Sequence, residues 1–183
     1  MTIPIDLPFN FGVGAAIALS AGRQVGRDQT GHSRRMVFRQ AAWWGGWFGV
    51  NVAYEYFAWP DWMWAYLVDP ERMHAAAVVP LFFLANVVVT MLGAWCVCGS
   101  LGRGRWGPAI AVMIAGFVGW GCTIGATFDA YMHVGTRAQF LAHTAVDIRQ
   151  HKELQAALPW TVVFLAVPGV LLLLTNAVRG KKS

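Results

Sequence analysis

Charge is what this chain is short of. Only 13% of its 183 residues are charged while 57% are hydrophobic, whereas about a quarter of an ordinary soluble domain is charged. So large an apolar surplus excludes a typical soluble domain and calls for lipid as part of the solvent. Acids are scarcer than bases, 9 against 14, leaving a net charge of +5. The bases are interrupted by apolar runs and make no continuous basic face, which excludes nucleic acid as a partner and leaves a topological role for the charge. The three cysteines, Cys96, Cys98 and Cys122, fall in apolar segments without CxxC or zinc-ribbon spacing, so reduced, buried thiols are expected. Five histidines with no HxxH pair exclude a histidine-rich di-iron desaturase. There is no GxSxG, Walker loop or nucleotide fingerprint. Polar residues are also too few and too one-sided to line a conduction path, which argues against a channel or transporter.

Apolar runs are what the chain does have. A membrane-crossing helix needs about 20 mostly apolar residues, and five stretches come close, at about 3–22, 40–59, 74–99, 108–133 and 159–178. The expected architecture is all-α, a single polytopic domain of five transmembrane helices. The opening MTIPIDLPFNFG lacks a basic leader region and is expected to stay as the first span. Gly14, Ala18 and Gly22 in that span, and Gly45 and Gly49 in the second, are small residues four apart, where another helix can approach closely. The fourth span holds Gly116, Gly119, Gly121 and Gly125 and is expected at the centre of the bundle. Between the spans lie a polar loop from Arg23 to Arg39, a short turn with Arg103 and Arg105, and an amphipathic helix from Thr136 to Leu158. That helix carries Phe140, Leu141, Ala145 and Ile148 on one side.

Orientation follows from the bases, because short cytoplasmic loops retain Lys and Arg. The first loop, the Arg103 turn and the C-terminus hold ten of the 14, and five spans put all three on one side. The reading is N-out and C-in, in the plasma membrane of a prokaryote, with the amphipathic helix outside.

This topology brings Asp6, Asn10, Glu55, His74, Asp129 and His133 to similar depth near the outer face. An ionisable side chain inside a span costs about 2.5 to 3.5 kcal/mol at the centre, so several at one level point to a site. Glu55 shares a helical face with Trp44, Phe48 and Asn51 and lies below an aromatic shelf of Trp59, Trp62, Trp64 and Tyr66. Glu55 and Asp129 are read as an acid/base pair, because neighbouring carboxyls split their pKa values, with His133 as tuning or relay group. Asn10, Trp44, Asn51, Tyr54, Trp120 and Tyr131 are candidate substrate contacts. The chemistry suits a lipid or isoprenoid from the outer leaflet and requires no cofactor. Other readings stay open. In one, Glu55 serves only helix register, with Asp129 and His133 as a local i, i+4 pair. A metal would use His133, His143 and Asp147. A haem or chlorin would take His74 or His133 as axial ligand, in a non-catalytic subunit that docks on partner membrane subunits through its glycine faces.

Overall fold

The computed structural model describes residues 6–58, 75–133, 163 and 166–179, with 54–58, 75–79 and 124–133 as backbone alone. Six helices account for nearly all of them: α1 (Asp6–Ser20), α2 (Gly22–Arg27), α3 (His32–Ala58), α4 (Ala75–Leu101), α5 (Trp106–His133) and α6 (Ala166–Arg179). No strand occurs among the described residues. Pro80–Leu101 and Trp106–Thr123 are long and apolar enough to cross a membrane.

Small residues decide how the helices meet. On α1, a methyl added to Gly14 would run into the carbonyl oxygen of Thr90 on α4, and one added to Gly93 into that of Phe11. The two backbones are therefore in contact. Against the other face of α4, a Cβ on Gly45 of α3 would lie 2.6 Å from the Asn86 carbonyl oxygen, and one on Gly49 would lie 2.8 Å from Phe83 Cα. Gly116 of α5 sits against Gly12 of α1, 2.7 Å from a notional Cβ to the Gly12 Cα. Gly169 of α6 receives the Trp44 ring. These pairings make α1, α4 and α6 parallel to one another and antiparallel to α3 and α5.

The helix at the centre is α1, not the glycine-rich α5. Asn10, Gly12, Gly14, Ala15, Ile17 and Ala18 are all buried, whereas Ile110, Ile114 and Val118 of α5 are about half exposed. The described glycines of α5 lie on different faces. Gly116 meets α1, but Gly121 has open space around it, and Cys122 beside it is exposed, against the expectation of buried thiols. A span that carries an acid and an amide, Asp6 and Asn10, is thus the one most enclosed among the described residues.

The polar loop expected from Arg23 to Arg39 is also mostly helical. It shrinks to residues 28–31 between α2 and α3, because arginine is a good helix former and polarity alone does not end a helix. Asp28 organises the turn. Its carboxylate accepts the Thr30 N–H at 2.8 Å, the Thr30 hydroxyl at 2.6 Å and the Ser33 N–H, while Gly31 takes a positive φ of 77°. These donors hold the Asp28 carboxyl well below the usual carboxylate range. At 27 residues, α3 is about 40 Å long.

Outward faces are apolar. Leu81, Leu84, Val88, Leu92 and Trp95 form an exposed stripe along α4, and Val167, Val170, Leu171, Leu174 and Val178 another on α6. In water each such side chain would forgo about 1.5 to 3 kcal/mol of burial.

Two outcomes test this packing. Replacing Gly14→Ala drives a methyl into helix backbone that has no rotamer to escape by, and should lower stability by about 1 to 3 kcal/mol, whereas Gly121→Ala should be neutral or slightly stabilising; thermal unfolding in micelles measures both. Asp28→Ala should melt below wild type at neutral pH. Since the folded-state pKa is depressed, that difference is full above about pH 4, the unfolded value, and closes as the pH falls towards and through the folded value.

Candidate functional site

In the half of the bundle away from the arginines, three helices place polar side chains against one another. Asn10 of α1 donates from Nδ2 to Asn86 Oδ1 of α4 at 2.5 Å and accepts the Trp44 Nε1–H of α3 at 3.0 Å. Asn86 in turn donates to the Phe82 carbonyl of its own helix at 2.9 Å. One turn further on, the Thr90 hydroxyl donates to the Asn86 carbonyl at 2.6 Å. Asn10, Asn86 and Thr90 are fully buried and Trp44 nearly so. The amide of Asn10 therefore spends its oxygen on one neighbour and its nitrogen on another, as a buried polar group must.

Asp6 stands one helical turn above Asn10. It is 5% exposed and its carboxyl faces Asn86, yet neither oxygen has a hydrogen-bond partner among the described residues. Its position in the first turn of α1 sets it against the positive end of the helix dipole, which favours a negative group. A carboxyl so enclosed, beside Asn86 but without a described donor at full hydrogen-bonding geometry, can still take up a proton or a polar group of a ligand.

Of the residues read from the sequence, Asn10 and Trp44 meet directly. Phe9 lies between Phe48, at a centroid distance of 5.7 Å, and Trp120, at 5.0 Å, so Trp120 reaches this cluster through an aromatic ring. Asn51 is half-buried and donates to the Trp47 carbonyl of its own helix at 2.7 Å. Tyr54 and Glu55 on α3, and Asp129, Tyr131 and His133 on α5, are described by backbone. They lie on the last turns of two parallel helices whose C-terminal ends share the end of the bundle at which α1 begins. His74, His143, Asp147 and the shelf of Trp59, Trp62, Trp64 and Tyr66 lie outside the described residues. Among the described residues no three His, Cys, Asp or Glu side chains gather as metal ligands.

The sequence puts Asp6 at the level of the site without giving it a role, and Asn86 is not among the candidate contacts. Asn86 is an amide in the middle of the apolar run LFFLANVVV, and Asp6 precedes Asn10 by four residues, one helical turn. Isolated polar residues at helical spacing in apolar runs were the available signal. What a sequence does not show is that Asn10 and Asn86, 76 residues apart, face each other.

A second polar knot lies at the arginine end. Asn176 of α6, fully buried, exchanges two hydrogen bonds with the Gln40 amide of α3, at 2.9 and 3.0 Å. It also donates to the Ser20 hydroxyl of α1 at 3.1 Å. Around it gather all eight described arginines: Arg23 and Arg27 on α2, Arg34, Arg35 and Arg39 at the start of α3, Arg103 and Arg105 in the α4–α5 turn, and Arg179 ending α6.

Comparison with models of known protein families, with curated proteins and with solved structures finds no match. The functional reading therefore stands on the geometry.

The Asn10–Asn86 pair has a direct test. Asn86→Leu leaves the Asn10 amide buried and half-satisfied and should cost about 1 to 2 kcal/mol. In a double-mutant cycle with Asn10→Leu the two losses should be non-additive, the double variant being less destabilised than the sum; unfolding in mixed micelles gives the coupling.

Proposed function

We propose that the chain is an integral membrane protein, crossing the bilayer with α1, α3, α4, α5 and α6, and that the end remote from the arginines carries out acid/base chemistry on a lipid or isoprenoid. The membrane assignment is supported by the two helices of spanning length and by the exposed apolar stripes on α4 and α6, which no water-facing surface of this extent would carry. With every described arginine at one end, the positive-inside rule puts that end in the cytoplasm and α1 begins outside.

The observation that carries the chemical reading is Asp6. A buried carboxyl without a hydrogen-bond partner among the described residues lies at the end where α3 carries Glu55 and α5 carries Asp129. In our reading Glu55 and Asp129 form the acid/base pair, one protonated while the other is ionised. His133, one turn beyond Asp129, relays protons, and Asp6 holds a polar group of the substrate. Below them Asn10, Trp44 and Asn86 are spent on one another, which makes a closed floor rather than a path across the bilayer.

A second reading, a non-catalytic subunit holding a haem or chlorin through His133 or His74, is favoured by one feature. The exposed face of α5, with Ile110, Ile114, Val118, Gly121 and Cys122, suits a neighbouring helix as well as lipid. The absorption spectrum and native mass of the purified protein separate the two.

For the enzyme reading, wild type and the variants Asp6→Asn, Glu55→Gln and Asp129→Asn are reconstituted with a polar lipid extract, and lipid composition is followed by mass spectrometry. Conversion should disappear in the Glu55 and Asp129 variants at unchanged melting temperature, and drop at least tenfold, about 1.4 kcal/mol, for Asp6→Asn. Undiminished conversion by either of the first two removes the acid/base pair.

A further inference from the structure

At the arginine end, α3 and α6 line a groove of about 820 Å³, within the range of pockets that hold small ligands, roughly 300 to 1,000 Å³. Its composition changes along its length. Towards the middle of the bundle its walls are Ala42 and Trp43 of α3 and Leu172 of α6, while His32, Arg35, Met36, Arg39 and Arg179 line it towards the arginine end, and no acid is among the described lining residues.

The helical period makes this arrangement. His32, Arg35, Arg39 and Trp43 succeed one another at three- and four-residue steps on one face of α3. Trp43 is 52% exposed and lies parallel to Trp47 at a centroid separation of 6.2 Å, so the apolar wall continues beyond it. Across the groove Leu172 and Arg179, seven residues apart, share a face of α6. The Gln40–Asn176 amide pair fixes the spacing of the two helices, and the Arg179 guanidinium donates to Met36 Sδ at 3.8 Å.

We propose that this groove is a binding site for one anionic phospholipid of the cytoplasmic leaflet. Arg35 and Arg39 hold the phosphate and an acyl chain lies along Trp43 and Leu172. Charge complementarity at the arginine end selects an anion, and guanidinium groups suit phosphate oxygens through paired N–H donors. The apolar walls select a ligand with a hydrocarbon tail over free phosphate. Depth agrees. From Ala58 back to Arg39, α3 covers about 28 Å, close to the thickness of a hydrocarbon core of about 30 Å, so Arg39 and Arg35 stand at the headgroup layer when the other end of α3 meets the opposite face. The site is separate from the carboxyl cluster and rests only on the membrane part of the proposed function.

The test uses the full chain in detergent micelles, titrated with phosphatidylglycerol, phosphatidylcholine or glycerol phosphate, with binding read by native mass spectrometry and melting temperature. Phosphatidylglycerol should be retained and raise the melting temperature, while phosphatidylcholine and glycerol phosphate should do neither. Arg35→Gln with Arg39→Gln should weaken phosphatidylglycerol binding at least about tenfold, from roughly 1 kcal/mol per basic residue, at unchanged helicity. Trp43→Ala should weaken it without creating affinity for glycerol phosphate. Chains brominated near the phosphatidylglycerol carboxyl end should quench tryptophan fluorescence in wild type and less in Trp43→Phe. Equal retention of the two lipids, phosphatidylglycerol binding unaltered in the double arginine variant, or equal binding of glycerol phosphate overturns the proposal. Glu55→Gln serves as control: it should bind phosphatidylglycerol normally, so loss of acid/base activity and loss of lipid binding are told apart. Failure of the wild type to enter bilayers would instead overturn the membrane reading itself.

Discussion

The hydrogen bond between Asn10 and Asn86 sets the terms for the rest of the molecule. Two primary amides meeting in a low-dielectric interior must satisfy each other, because neither water nor hydrocarbon is there to do so. Their side chains are short, so they meet only if the helix backbones touch, and Gly14 and Gly93 let them touch. Sliding α1 past α4 by one turn, about 5.4 Å, would separate the amides and bring β-carbon-bearing residues to the positions that glycine keeps clear. Geometry and hydrogen bonding thus select the same register. Trp44 carries that register to α3 by donating to Asn10, and its ring fills the space over Gly169, which extends the same constraint to α6.

A single pinned level would leave the helices free to swing about it, and the Asn176 knot supplies a second. Asn10 and Ser20 are ten residues apart on α1, about 15 Å along the helix, so α1, α3 and α6 are fastened to one another at two well-separated depths. α5 is attached differently, through Gly12 against Gly116 and through the Phe9, Phe117 and Trp120 rings, with no hydrogen bond to α1 among those described. Dispersion and close packing are non-directional by comparison, which makes α5 the helix with the greatest latitude for adjustment. It is also the helix that carries Asp129 and His133.

Much of this was legible in the residues. Run length placed the turn between α4 and α5 to within two positions, whereas α2 lies in what read as a loop and α3 begins two turns inside the arginine-rich segment. There, hydropathy marks where lipid would end, while the helix itself ends only where Asp28 and Gly31 turn the chain. The small-residue stripes at Gly14, Ala18 and Gly45, Gly49 announced close approaches that the bundle makes. Glycine density misled at α5. Counting glycines along a helix says nothing about whether they lie on one face or around it, and burial is decided by faces. α1 carries Asp6 and Asn10 in its first turns, and enclosure suits it for that reason: a helix bearing an acid and an amide is ill at ease against lipid. For Glu55, Asp129 and His133, helix direction places the backbones at one end of the bundle. Whether the side chains converge depends on rotations that hydropathy does not encode.

The uneven distribution of charge along the bundle axis joins the two ends into one argument. Arginines can stand at a bilayer surface at little expense, since their apolar stems reach along the hydrocarbon while the guanidinium groups stay in the headgroups. Short carboxylate side chains have no such reach, so an acid within a span must be buried against protein. Asp6 obeys that rule, in contact with Asn86 and at the positive end of its own helix. In the proposed membrane setting the arginine end therefore stands at the headgroup layer, where charge is accommodated without burial. The opposite end holds its acid in an enclosed setting where each neighbour counts. If the bundle lies in a bilayer as proposed, charge at one end and a confined acid at the other keep its depth in lipid apart from the Asn10–Asn86 hydrogen bond, so a shift or tilt need not disturb that register.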